Sequence, residues 1–283
     1  MSIVITGASG QLARSVIDYT LESVEASDLI LVTRSPGDLG AYATRGVAVR
    51  FGDFEDPGSL SDAFAGGSRM LLISTDAVGD RIEQHLAAVD AAARAGVELI
   101  AYTSIVSPVT ENPAFVVPDH AATEQKLRDS GVGWVFLRNS LYAEFQAASM
   151  SAASESGVLV TNSGPGQVAY VSRDDCGAAA AAVLVSGDHA GNAYDITGPE
   201  LLDASARADI FSSITGKPIE VVQVDDDSYA QGVADATGMP FEAARGMATF
   251  GTAAREGFLA VVSSNYEGLT GRKPRDLRSV LTA

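Results

Sequence analysis

The stretch Thr6-Gly7-Ala8-Ser9-Gly10-Gln11-Leu12-Ala13 comes directly after an apolar run and opens a segment with Leu12, Val16, Ile17 and Leu21 at helical spacing. A glycine-rich turn between a strand and a helix is where a dinucleotide-binding fold receives a pyrophosphate. Gly7 permits the tight turn, and Gly10 lets the backbone approach the anion at the positive end of the helix. The third small position, usually glycine, is Ala13, whose methyl still allows close packing of helix on strand. Glycine spacing alone also fits an ordinary strand–helix turn, so the pattern of the chain beyond residue 13 decides between the two.

That pattern is regular. Residues 3–6, 29–33, 48–51, 70–74, 99–103 and 134–137 read as strands, separated by helical patterns such as Leu86, Val89, Ala92 and Ala93. The strands are apolar throughout rather than alternating, as expected for a sheet covered by helices on both faces. This is the rhythm of an α/β, doubly wound Rossmann-type parallel sheet. We expect residues 1–150 to form the nucleotide-binding domain. Past residue 150 the rhythm loosens: loops at Gly157, Gly164, Pro165 and Gly166 precede a short apolar run at 168–171, a helix at 174–185, a strand at 194–196, a helix near 204–214 and a strand at 219–224. Residues 151–283 are expected to form a smaller C-terminal α/β region packed on the carboxyl ends of the strands, where ligands of such sheets bind.

Composition narrows the function. A 46% hydrophobic content suits a globular core, and no apolar run approaches the roughly 18 residues of a membrane span. The first residues carry no basic leader, and the single cysteine, Cys176, excludes an internal disulfide or a multi-thiolate zinc site. A cytoplasmic protein is expected. With 36 acidic against 19 basic residues and a net charge of −17, nucleic acid is not an expected partner.

The end of the second predicted strand reads Val32-Thr33-Arg34-Ser35. Chains that prefer the unphosphorylated cofactor place Asp or Glu about 20 residues beyond the glycines; here Arg34 instead offers a fork of donors to a 2′-phosphate. The residues therefore point to NADP(H).

The ordered set TGASGQLA, VTRSP, GDFED, LLIST, AYTS, DHAATEQKL, LRNSLYAEF and VSRDD resembles the NmrA-like atypical short-chain dehydrogenases, and within them the bacterial NADPH:quinone oxidoreductases. The resemblance spans residue 2 to at least 220. It implies that Gly7, Ala8, Ser9, Gly10, Gln11 and Leu12 hold the pyrophosphate and Arg34 the 2′-phosphate. Asp53 and Phe54 would border the adenine, although Asp53 also reads as a helix cap before Pro57. Ser74, Thr75 and Asp76 would face the riboses, Asn139 to Glu144, including Tyr142, would border nicotinamide and substrate, and Tyr170 to Asp175, including Arg173, would close the site.

None of the eight tyrosines has a lysine four residues later, so the usual dyad for ketone reduction is absent from the chain. A quinone is a stronger electrophile and needs mainly positioning. His120 and Tyr142 are the candidate catalytic side chains, with His120 and Glu124 sharing a helix face at i,i+4. The family's lysine after this glutamate is displaced by one residue to Lys126. Ser104 stands where other short-chain dehydrogenases keep a catalytic serine, and without a tyrosine partner it is at best an orienting hydroxyl. The three histidines are too scattered in sequence for a metal site, and the acidic neighbours of Cys176 should raise its pKa. The run Asp225-Asp226-Asp227 reads as the cap and first turn of a helix. The expected function is hydride transfer from NADPH to a quinone or similar electrophile without flavin or metal, and the alternative is an NADP(H)-sensing regulator without turnover. A homodimer is the oligomer kept open.

Overall fold

A computed structural model describes residues 1–75 and 81–283. Seven parallel strands form one sheet in the order β3-β2-β1-β4-β5-β6-β8, built from β1 (Ile3–Ile5), β2 (Leu29–Thr33), β3 (Ala48–Phe51), β4 (Arg69–Leu72), β5 (Leu99–Ile105), β6 (Gly133–Asn139) and β8 (Asn192–Ile196). The chain winds outward from β1 to β3, returns beside β1 with β4, and winds the other way. That reversal puts a crevice at the carboxyl ends of β1 and β4.

Helices cover both faces. On one, α1 (Gln11–Thr20) packs against α7 (Arg173–Val185) over Ile3, Ile5, Leu29 and Leu31, and the short α2 (Gly40–Ala43) adds Tyr42 to the same core. On the other, α3 (Pro57–Phe64), α4 (Arg81–Arg94) and α5 (Val117–Asp129) pack over Val4, Met70, Ile100 and Phe136. Alternate residues of each strand thus enter different cores, which explains why the strands read as uniformly apolar. The α1/α7 contact depends on Gly177, where an added Cβ would lie 2.5 Å from the Cβ of Ser15.

Two of these elements, α7 and β8, come from beyond residue 150, so residues 151–283 serve both the sheet layers and a smaller region. That smaller region holds α6 (Gln146–Ser156), α8 (Ala204–Thr215) and a two-stranded parallel sheet of β7 (Val158–Thr161) and β9 (Glu220–Gln223) around a core containing Leu159, Val168, Tyr170 and Phe211. The helices α9 (Asp226–Thr237) and α10 (Phe241–Arg255) extend it, and Leu277 at the start of the last helix (Leu277–Leu281) enters its core. The short apolar run at 168–171 makes isolated bridges, Val168 to Leu202 and Val171 to Tyr142, which tie the smaller region to the segment after β6. The strand β7, which falls among the loops of the sequence reading, lies immediately after Gly157, whose left-handed backbone ends α6.

Candidate active site

The β1–α1 turn is built as its glycines require. Gly7 has φ +59, a conformation that disfavours any side chain, and its carbonyl accepts the amide of Gly10 at 2.9 Å. A Cβ on Gly10 would meet that carbonyl at 3.1 Å. α1 starts with no side-chain cap and no acidic residue in its first turn, which leaves its amide end free to face an anion. Around the turn, Thr6 Oγ1 donates to the Leu71 carbonyl and accepts the Ile73 amide, joining the ends of β1 and β4.

A cleft of about 290 Å³ opens over these strand ends. Gly7, Ser9 and Gly10 line it, as do Arg34, Asp53, Phe54, Ser74 and Thr75. Of the other turn residues, Ala8 and Leu12 face the core and Gln11 is exposed; none of the three lines the cleft through its side chain. Ser9 and Thr33 hydroxyls lie 3.0 Å apart, and Thr33 Oγ1 also accepts the Ser35 amide, shaping the bend that presents Arg34. Arg34 is exposed and has no ion-pair partner among the described residues. Asp53 is not the helix cap that its position before Pro57 allowed: Asp56 caps α3 by accepting the Gly58 amide, while the Asp53 carboxylate accepts the Glu55 amide in the turn bordering the cleft. Gly52 lines the cleft as well and admits no side chain, since a Cβ would stand 2.5 Å from Val32 Cγ1. Asp76 lies outside the described residues.

Ser74 also lines a second depression of about 140 Å³, so the two adjoin at this residue. The walls of the depression come from the ends of β5 and β6 (Thr103, Ser104, Asn139), from His120 of α5, and from Ser140, Tyr142 and Phe145 after β6. Asn139 Nδ2 donates to Tyr142 Oη at 3.3 Å, which leaves the phenolic hydrogen free to point elsewhere. Burial pushes the Tyr142 phenol above its ordinary pKa, so it stays protonated. Asn139 Oδ1 and Ser140 Oγ are buried without a hydrogen-bond partner, an arrangement that a polar ligand would satisfy. Arg173 lines neither cavity; its guanidinium rests 5.2 Å from the Tyr142 ring centre and 4.7 Å from that of Phe145, bracing the aromatic wall from behind.

His120 borders the depression but has no nitrogen to spare. Its Nδ1 lies 2.8 Å from Tyr102 Oη and its Nε2 3.4 Å from Arg81 Nη1. Nor does Glu124 orient it, despite the shared helix face: Glu124 accepts from Ser104, Arg128 and Arg138 instead. The histidines are also less scattered in space than in sequence. His85 joins His120 beside Tyr102, donates through Nδ1 to Thr123 Oγ1, and accepts the Thr75 amide at Nε2, 3.1 Å away, which anchors the cleft wall after β4. Burial lowers the pKa of His85 and of His120 to about 3, with the Arg81 charge adding to it. Sequence reasoning misses this layer because its members are spread over α4, β5 and α5 with no local spacing to mark them. Among the described residues no group of three or more metal-ligating side chains assembles.

Elsewhere the candidates take structural roles. Lys126 pairs with Asp90 at 2.6 Å on the outer surface, and the Cys176 thiol is raised in pKa by burial first and by Asp175 second. Asp225 caps α9 as expected, whereas Asp226 turns inward to Arg255, Asn162 and Thr252.

A doubly wound sheet with a glycine turn, a bare helix end and an exposed arginine at its switch point defines a dinucleotide-binding α/β protein. The NmrA-like family profile matches residues 1–257, and the chain belongs to the NmrA-like family. It is 35% identical over 269 residues to quinone oxidoreductase 2 of Escherichia coli K12, covering 95% of this chain and 93% of that protein. The crystal structure of an NADPH-dependent quinone oxidoreductase from E. coli complexed with NADPH superposes with a TM-score of 0.95 at 33% identity, over 99% of this chain and 98% of the other. The Citrobacter sp. triphenylmethane reductase complexed with NADP(H) matches at 0.93 and 34% identity, over 99% of both chains.

Proposed function

We propose that the chain is an NADPH-dependent oxidoreductase that reduces a quinone or similar flat electrophile. The observation that carries the reading is that a cleft shaped for a dinucleotide adjoins, at Ser74, a second depression walled by Tyr142 and Phe145. When bound, NADPH supplies the hydride. Backbone amides of residues 7–12 take the pyrophosphate, the Arg34 fork takes the 2′-phosphate, and Asp53 and Phe54 flank the adenine. Ser74 and Thr75 face the riboses. The relatives that carry NADPH or act on quinones and dyes support both the cofactor and the substrate class.

In the depression, Tyr142 donates its free hydrogen to the substrate oxygen on which negative charge develops. A fixed donor in a partly dry site stabilises that charge without the Tyr-x-x-x-Lys pair that the sequence lacks. His120, with both nitrogens engaged, holds the wall rather than donating. The residues that line the depression all precede 150, and residues 151–283 contribute through Arg173 of α7, which supports the aromatic wall.

The test is stopped-flow absorbance at 340 nm with purified protein, NADPH and a panel of quinones. Oxidation of NADPH dependent on the quinone is expected; cofactor binding with no turnover by any of them would overturn the proposal.

A further inference from the structure

Beyond the end of β4, three successive backbone amides donate to side chains from three different elements. The Ile73 amide donates to Oγ1 of Thr6, just past β1, at 3.0 Å, the Ser74 amide to Thr103 Oγ1 of β5 at 2.8 Å, and the Thr75 amide to His85 Nε2 of α4 at 3.1 Å. β1 and β5 are the neighbours of β4 in the sheet, so the two threonine hydroxyls continue its ladder on either side after the strand pairing stops. The third clamp comes from outside the sheet, from a histidine that is 0% exposed. All three fall where the two cavities meet: Ser74 lines both, and Ile73 and Thr75 line the larger. With its amide spent on His85, Thr75 keeps Oγ1, which is buried and has no hydrogen-bond partner among the described residues.

The third clamp works in one tautomer only. Thr123 Oγ1 donates its hydrogen to the Asp119 carbonyl at 2.8 Å, so toward His85 Nδ1, 3.0 Å away, it can only accept. Nδ1 therefore carries the ring hydrogen, and Nε2 keeps a lone pair for the Thr75 amide. We infer that His85 is a positioning residue for the reaction: through the Thr75 amide it fixes the wall at which cofactor and substrate meet, and Thr123 fixes its tautomer. This rests on the NADPH reading above. His85 lines neither cavity, so it acts only through the backbone that it holds.

The experiment compares the wild type with His85→Leu and His85→Gln in three measurements: binding of NADPH, binding of adenosine 2′,5′-bisphosphate, and single-turnover hydride transfer at saturating NADPH to the best quinone of the panel. Leucine has similar bulk and no acceptor, whereas glutamine brings an amide oxygen that can take the Thr75 N–H. His85→Leu should bind NADPH about tenfold more weakly and transfer hydride about tenfold more slowly, because the Thr75 amide loses its partner and releases the wall. It should keep its affinity for the bisphosphate, which reaches only the Arg34 end of the cleft and so reports an intact fold. His85→Gln should recover most of both losses. Unchanged NADPH binding and transfer in His85→Leu would overturn the inference, and so would an equal loss of the bisphosphate, the mark of general loosening. A glutamine variant as impaired as the leucine variant would overturn the acceptor role of Nε2. Each of these results leaves the proposed function standing. A wild-type protein that binds no NADPH, or oxidises it with none of the quinones, would remove that function and this inference with it.

Discussion

Among the described residues Arg34 has no ion-pair partner at the end of β2, so within them its charge is uncommitted until a ligand arrives. Arg34→Asp removes a fork of charged hydrogen bonds and adds repulsion; NADPH affinity should fall by roughly 2 kcal/mol or more, read by calorimetry, with NADH affinity much less affected. Tyr142→Phe removes the one donor proposed to act in the reaction, and quinone turnover should fall about a hundredfold with NADPH affinity kept. Both positions are legible in the sequence because each sits just past a strand that periodicity marks out. The partners of His120 are not. Helical spacing places His120 and Glu124 on one face, but which neighbour each side chain meets is decided by Tyr102 and Ser104 on β5 and Arg138 on β6, and no local pattern encodes those approaches.

At the level of elements, the parallel strands around β1 can be read because buried strands are continuous apolar runs and their order follows the βαβ rhythm. β7 escapes because it is short, half-buried and paired with β9, a strand far along the chain. Separation in sequence likewise hides the helix contact at Gly177. Gly177→Val would push a branched side chain into Ser15 and part α1 from α7; a stability loss of about 1–3 kcal/mol is expected, measured by denaturant unfolding. Because α1 carries the amides that face the cleft, NADPH affinity should fall with it. A valine variant as stable as the wild type would show that the two helices separate without cost.

For the molecule as a whole, the buried histidines set a pH limit. His85 and His120 have folded pKa values of about 3 against an ordinary value of 6.5, so the unfolded chain binds protons more readily than the folded one between those limits. Stability is full above about pH 6.5 and should decline as the pH falls toward 3, by at most about 1.4 kcal/mol per pH unit for each histidine. Thermal unfolding across this range checks it, and His85→Gln should flatten the decline. Asp226 adds to the loss at the acid end: Arg255 holds its pKa at about 2, so the support it gives α9 and α10 is present above about pH 4 and disappears as the pH falls through 2. A net charge of −17 opposes a cofactor that itself carries about four negative charges, so moderate salt should speed NADPH association or leave it unchanged in stopped-flow traces. In chain order, β8 is the last strand to join the large sheet. Until residues 192–196 emerge from the ribosome, β6 is an unpaired edge along Val135 to Asn139, and the α1 side of the sheet lacks α7. A chain severed at residue 150 would carry the whole glycine turn and still offer a sticky, half-clad sheet, so the nucleotide half is expected to aggregate when expressed alone and to resist grafting onto another substrate half.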